Sequence, residues 1–107
     1  MSTATDSELE EIEELISTIR KLTKEHLRGD RSTVFEIRLR LDHLKDFLSA
    51  ADGCQDLLRA TDSFIQNTNS FAHYCPWNYN LSLKTNMCEL TEQFENFKLS
   101  NNVYRYL

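Results

Sequence analysis

The residue types best suited to chemistry stand in His73-Tyr74-Cys75, with Cys88 thirteen positions beyond. Imidazole and thiolate are ligands that zinc takes. Three donors fall short of a tetrahedral site, so a fourth would have to come from Cys54, His43 or a carboxylate. No C-x-x-C pair is present. His73, Cys75 and Cys88 therefore match zinc by type but not by spacing. No metal site is assigned from them, and no cofactor is expected.

Other chemistries lack their parts. A phosphate-cradling loop needs closely spaced glycines, and the only two, Gly29 and Gly53, are 24 positions apart. No serine stands in a nucleophile-elbow context. Six carboxylates crowd residues 6 to 14: Asp6, Glu8, Glu10, Glu11, Glu13 and Glu14. They are exposed and repel one another. They lack the unequal environments that make one carboxyl an acid and its neighbour a base. The expectation is a protein that is not an enzyme and takes no small-molecule substrate.

The elements that must carry these residues are helices. A length of 107 residues suits one domain, and 40% apolar residues suffice for a modest core. The net charge is −5, yet six of the 17 acids lie in the first 14 residues, leaving 11 acids against 12 bases elsewhere. A nearly neutral body argues against a general nucleic-acid binder. Residues 20–45 nevertheless hold Arg20, Lys21, Lys24, Arg28, Arg31, Arg38, Arg40 and Lys45 against four acids. A nucleic-acid-associated factor using that segment stays open as an alternative. The start, MSTATDSELEE, lacks the apolar region of a signal peptide. No apolar run approaches the ~18 residues of a membrane span. With three cysteines, the expected setting is reducing: the cytoplasm or the nucleus.

Four helices are predicted, about 7–28, 32–52, 54–72 and 81–100. Residues 1–6 are expected to be a flexible start and 101–107 a tail. In the first helix, Ser7 and Glu10 form a capping-box pattern, and Leu9, Ile12, Ile16 and Ile19 repeat on one face. Acids at its start and Arg20, Lys21, Lys24 and Arg28 near its end match the helix dipole. Gly29 is a natural terminator. Thr33 and Glu36 offer a second capping box. At Gly53 the apolar phase slips, which a turn or a drifting long helix would both explain. Cys54, Leu57, Leu58, Thr61, Phe64 and Ile65 line the third helix. Leu83, Met87, Leu90, Phe94 and Phe97 line the fourth. Between them, QNTNSFAHYCPWNYN reads as a loop, with Pro76 barred from a helix interior. The fold class is all-α: a small antiparallel bundle of three to four helices with coiled-coil-like stripes.

The second helix carries too much apolar surface for one face. Val34, Ile37, Leu41, Leu44, Leu48 and Ala51 form a single stripe. Phe35 and Leu39 point nearly opposite to it. Either the helix is central in the bundle, or its second face meets another chain. The loop raises a similar question, because Phe71, Tyr74, Trp77 and Tyr79 are costly residues for a linker. They either plug one end of the bundle or join a binding surface. The expected partner-binding residues are Phe35, Leu39, Phe47, Tyr74, Trp77 and Tyr79. The partner would be another protein or a second copy of the chain, without a membrane.

One segment resembles a known family. RLDHLKDFLSAADGCQDLL, residues 40–58, is similar to the amphipathic helix near the start of Gag polyproteins of insect Bel/Pao-type retroelements. Arg40, Leu41, Leu44, Phe47, Leu48, Gln55 and Leu58 carry the pattern, and the upstream IRKLTKEHLRGD is compatible with it. The family pattern is one continuous helix, which Gly53 interrupts here. The resemblance implies a self-associating structural segment or a domesticated descendant, without catalysis. The reading from the residues themselves is a protein-interaction module, an adaptor or complex subunit. A Gag-derived self-associating protein is the alternative.

Overall fold

The computed structural model describes residues 4–30, 32–51, 54–69 and 76–106, with side chains for all of these but 69, 76–80 and 102–106. Four helices fill it: α1 (Asp6–Leu27), α2 (Thr33–Ser49), α3 (Gln55–Asn69) and α4 (Pro76–Tyr106). No strand occurs among the described residues. The class is the expected one, a small all-α bundle.

The ends of the helices differ from the expectation in instructive ways. Helix α1 starts two residues earlier than the Ser7 cap predicts. Thr5 is the N-cap, in an extended conformation. Glu8 N–H donates to Thr5 Oγ1 (3.2 Å), and Thr5 N–H donates to Glu8 Oε1 (3.1 Å). The sequence contains two overlapping boxes, T-x-x-E and S-x-x-E, and the earlier one wins. At the other end, Asp30 N–H donates to Glu25 O and Gly29 N–H to His26 O. That pair is a Schellman motif, and Gly29 supplies the positive φ, +119°, that it needs. The expected Thr33–Glu36 box does not form. Asp30 organises the turn instead, accepting from Ser32 N–H and Ser32 Oγ–H, while Thr33 Oγ1 donates to its carbonyl. Glu36 turns toward Arg40.

Helix α2 stops at Ser49 and α3 opens at Gln55, so residues 40–58 form two helices joined by a turn. Cys54 holds that turn: its buried thiol shares its one proton between Leu48 O (3.1 Å), in the last turn of α2, and Ala51 O (3.4 Å), just beyond it. Helix α4 exceeds its predicted span of 81–100 at both ends. Pro76 stands at its first position, where a missing N–H costs nothing. The supposed tail continues the helix to Tyr106.

Consecutive helices pack against each other, and α4 returns to α1. Lys45 of α2 meets Asp62 of α3. Residues 4 and 20 of α1's side meet residues 101 and 91 of α4, so those two run antiparallel. The result is a four-cornered up-down bundle 48 Å long and 19 Å across. The predicted stripes face inward: Ile12, Ile16 and Ile19; Ile37, Leu41, Leu44 and Leu48; Leu57 and Phe64; Leu83, Leu90 and Phe94. Burial of such a side chain contributes about 1.5–3 kcal/mol before entropy is charged against it. Three of the buried threonines satisfy themselves within their own helices. Thr23 donates to Ile19 O, Thr61 to Leu57 O and Thr68 to Ile65 O. His26 is buried at the end of α1.

The narrowest seam lies between α1 and α4. Arg20 Nη2 donates to Thr91 Oγ1 (3.1 Å). Asn101, 4% exposed, clamps Ala4: Ala4 N–H donates to its Oδ1 (2.8 Å), and its Nδ2 donates to Ala4 O (3.2 Å). Ala4 is thereby tied to α4, while residues 1–3 of the expected flexible start lie outside the described residues. Asn101→Ala should lower unfolding free energy in urea by about 1–3 kcal/mol, since it strands a partly buried N–H and C=O. Gly29→Ala should cost about 1–2 kcal/mol through the backbone alone. Its added Cβ would meet nothing within 4 Å, so no steric clash contributes.

Candidate binding face

Helix α2 is apolar on two sides. At 100° per residue, Ile37, Leu41, Leu44 and Leu48 fall in one narrow arc, and all four are 0% exposed. Phe35 and Leu39 lie diametrically opposite and adjacent to one another, at i and i+4. Their exposures are 80% and 61%. Helices α1 and α3 flank α2, yet neither covers this side. Central burial of helix α2, one of the two meanings its second face could have, is therefore excluded within the bundle.

Charged residues border the pair. On the flank toward α3, Arg38 Nε lies 3.2 Å from Asp42 Oδ1; on the flank toward α1, Arg40 Nε lies 3.8 Å from Glu36 Oε2. All four side chains are substantially exposed, although Arg40 Nε itself is buried and makes no hydrogen bond, and such pairs contribute only ~0–1 kcal/mol each. Their importance is positional: they rim an apolar centre with both signs of charge. Beyond them, Lys45 Nζ meets Asp62 Oδ1 at 2.8 Å. The hydrogen bond to Asp62, then its charge, holds the Lys45 ammonium above its ordinary range. The link is thus intact at neutral pH, and strong alkali breaks it by removing that proton.

The remaining expected binding residues do not join this face. Phe47 is half-buried and packs against the core. It lies on the flank of α2 toward α1, about midway between the two faces, and its packing against the core serves the bundle first. Tyr74 lies outside the described residues, as do Phe71, His73 and Cys75 of the expected aromatic loop. Trp77 and Tyr79 stand in the first turns of α4 rather than in a loop, with side chains outside the described set. Cys88 is an exposed thiol on α4. Among the described residues, no group of three or more His, Cys, Asp and Glu is disposed to hold a metal ion.

Two exposed apolar residues escaped the sequence reading, Leu81 and Leu99 of α4. Their signal was available, since both fall off the Leu83–Met87–Leu90–Phe94 stripe. They are 18 positions apart, so they form no common patch, and single exposed leucines are ordinary. Two open grooves lie among the described residues. One of about 180 Å³ lies between the start of α3 and α4, lined by Cys54, Gln55, Gln93, Asn96, Phe97 and Ser100, among others. One of about 260 Å³ lies between α1 and α2, where Glu11, Glu14 and Thr18 face Arg40 and His43. Carboxylates, a guanidinium and an imidazole meet there without a nucleophile beyond the Thr18 hydroxyl. Comparison of the chain with protein-family models, curated proteins and solved structures finds no match.

Urea denaturation distinguishes the two sides of α2. Phe35→Ser and Leu39→Ser should each leave stability within about 0.5 kcal/mol of the wild type. Leu41→Ala, in the opposite arc, should cost about 2–5 kcal/mol. A loss of that size from Phe35→Ser would place Phe35 in the core.

Proposed function

We propose that this protein is a non-catalytic interaction module, an adaptor or complex subunit, whose contact surface is the outer face of α2. One observation carries the reading: the same helix buries four residues completely and exposes a phenylalanine–leucine pair directly opposite them. Folding alone has no use for that pair. Helix-in-groove and helix-on-helix recognition use such i, i+4 anchors. Phenylalanine and leucine supply apolar area, and the rimming charges supply orientation.

The nucleic-acid alternative is less well supported. Three cations of the basic 20–45 segment, Arg38, Arg40 and Lys45, are already matched to Asp42, Glu36 and Asp62. No helix among the described residues is long and apolar enough to cross a membrane. Cys54 and Cys88 remain thiols, which suits a reducing compartment, and the reading places the module in the cytoplasm or nucleus.

The test compares two baits, the wild-type chain and the double variant Phe35→Glu with Leu39→Glu. Circular dichroism should show equal helicity, because both positions are solvent-exposed. Partners held by the wild type should be lost from the variant, with affinity falling at least tenfold. Retention of every partner by a folded double variant would defeat the reading.

A further inference from the structure

We propose that the occupant of the α2 face is the α2 face of a second copy of this chain, packed antiparallel about a two-fold axis level with Leu39. This rests on the binding-face reading above and names its partner. An interface between identical surfaces must be self-complementary, with every contact repeated in reverse. The face meets that condition in its apolar centre and in its charge. Each border holds one acid and one base four residues apart, in opposite order: Arg38 then Asp42, and Glu36 then Arg40.

An antiparallel two-fold lays each border along the same border of the other copy, with chain direction reversed. Base-then-acid therefore meets acid-then-base. The Arg38–Asp42 border matches best with the axis at residue 40, and the Glu36–Arg40 border with the axis at residue 38. The two optima bracket Leu39. With the axis there, Leu39 meets Leu39, and each Phe35 comes level with His43 of the other copy. Every acid–base approach across the interface is then offset by about 3 Å along the helix, at 1.5 Å per residue. Each border gains two such approaches against one Arg–Arg approach at the same offset. Asp46 decides the direction. It lies on the same outward line as Phe35 and Leu39, and it is exposed. A parallel pair would set Asp46 directly on Asp46. The antiparallel pair separates them by about 21 Å along the axis.

The contact is small, so the association is weak. In sedimentation or light scattering at low salt, the mass of the purified chain should rise toward double as concentration climbs to about 1 mM. Arg38→Glu makes one border wholly acidic, and Asp42→Arg makes it wholly basic. Each variant alone should stay monomeric at that concentration, and an equimolar mixture should recover the dimer. Circular dichroism should show both variants folded. In a Cys75→Ser, Cys88→Ser background, Leu39→Cys should form an interchain disulfide on mild oxidation, and Asp46→Cys should not. A monomeric wild type, a dimer indifferent to either charge variant, a mixture that stays monomeric, or crosslinking through Asp46→Cys would each overturn the proposal. If the wild type is monomeric but the Phe35→Glu, Leu39→Glu bait still loses a foreign partner, only the occupant is wrong. If that bait loses nothing, the face itself is wrong.

Discussion

A ring of four helices needs one contact that neighbours in the chain cannot supply. Here it is the buried amide of Asn101 against the backbone of Ala4, across 97 positions. Both its donor and its acceptor are used, so the amide tolerates burial. The geometry admits one register of α1 against α4. The clamp sits one residue before Thr5, the extended N-cap of the helix that begins at Asp6. Arg20 and Thr91 repeat the constraint further along the seam.

Much of this was legible from spacing. The four inward stripes follow from apolar residues at three and four, and that periodicity survives any detail of packing. Helix ends were less legible because several residues could do the same work. Thr5 and Ser7 both head a capping box, and Asp30 outcompeted Thr33 as the organiser of its turn. Helix α4 was underestimated because Asn78, Asn80 and Ser82 resemble a loop and Pro76 resembles a breaker. At the first position of a helix proline breaks nothing. The Asn101 clamp was invisible, since no local pattern marks a hydrogen bond between distant residues.

The candidate face was legible as a surplus and illegible as a surface. Helical angles place Phe35 and Leu39 opposite the core stripe, whatever the fold. Whether a neighbour fills that side depends on how many helices surround α2. With α1 on one flank and α3 on the other, the bundle runs out of helices before reaching it. Phe47 shows the converse. It stands on the flank toward α1, about a quarter turn from either face, and packs against the core from there. The flanking charges acquire meaning only once the face is known to be open. On a covered helix they would be routine i, i+4 pairs.

The order of packing around the ring has a kinetic consequence. Among the described residues, the three most extensive helix contacts join elements adjacent in the chain, which is a low-contact-order topology. Hairpin-like pairs can form early, each closing only a short loop. The α1–α4 seam alone demands a long closure, and the entropy of that closure grows only with the logarithm of its length. It is also the thinnest contact. The seam is therefore the last part of the bundle to assemble and the first to open, and the free energy of that opening, not of global unfolding, governs how often the inner faces of α1 and α4 meet water.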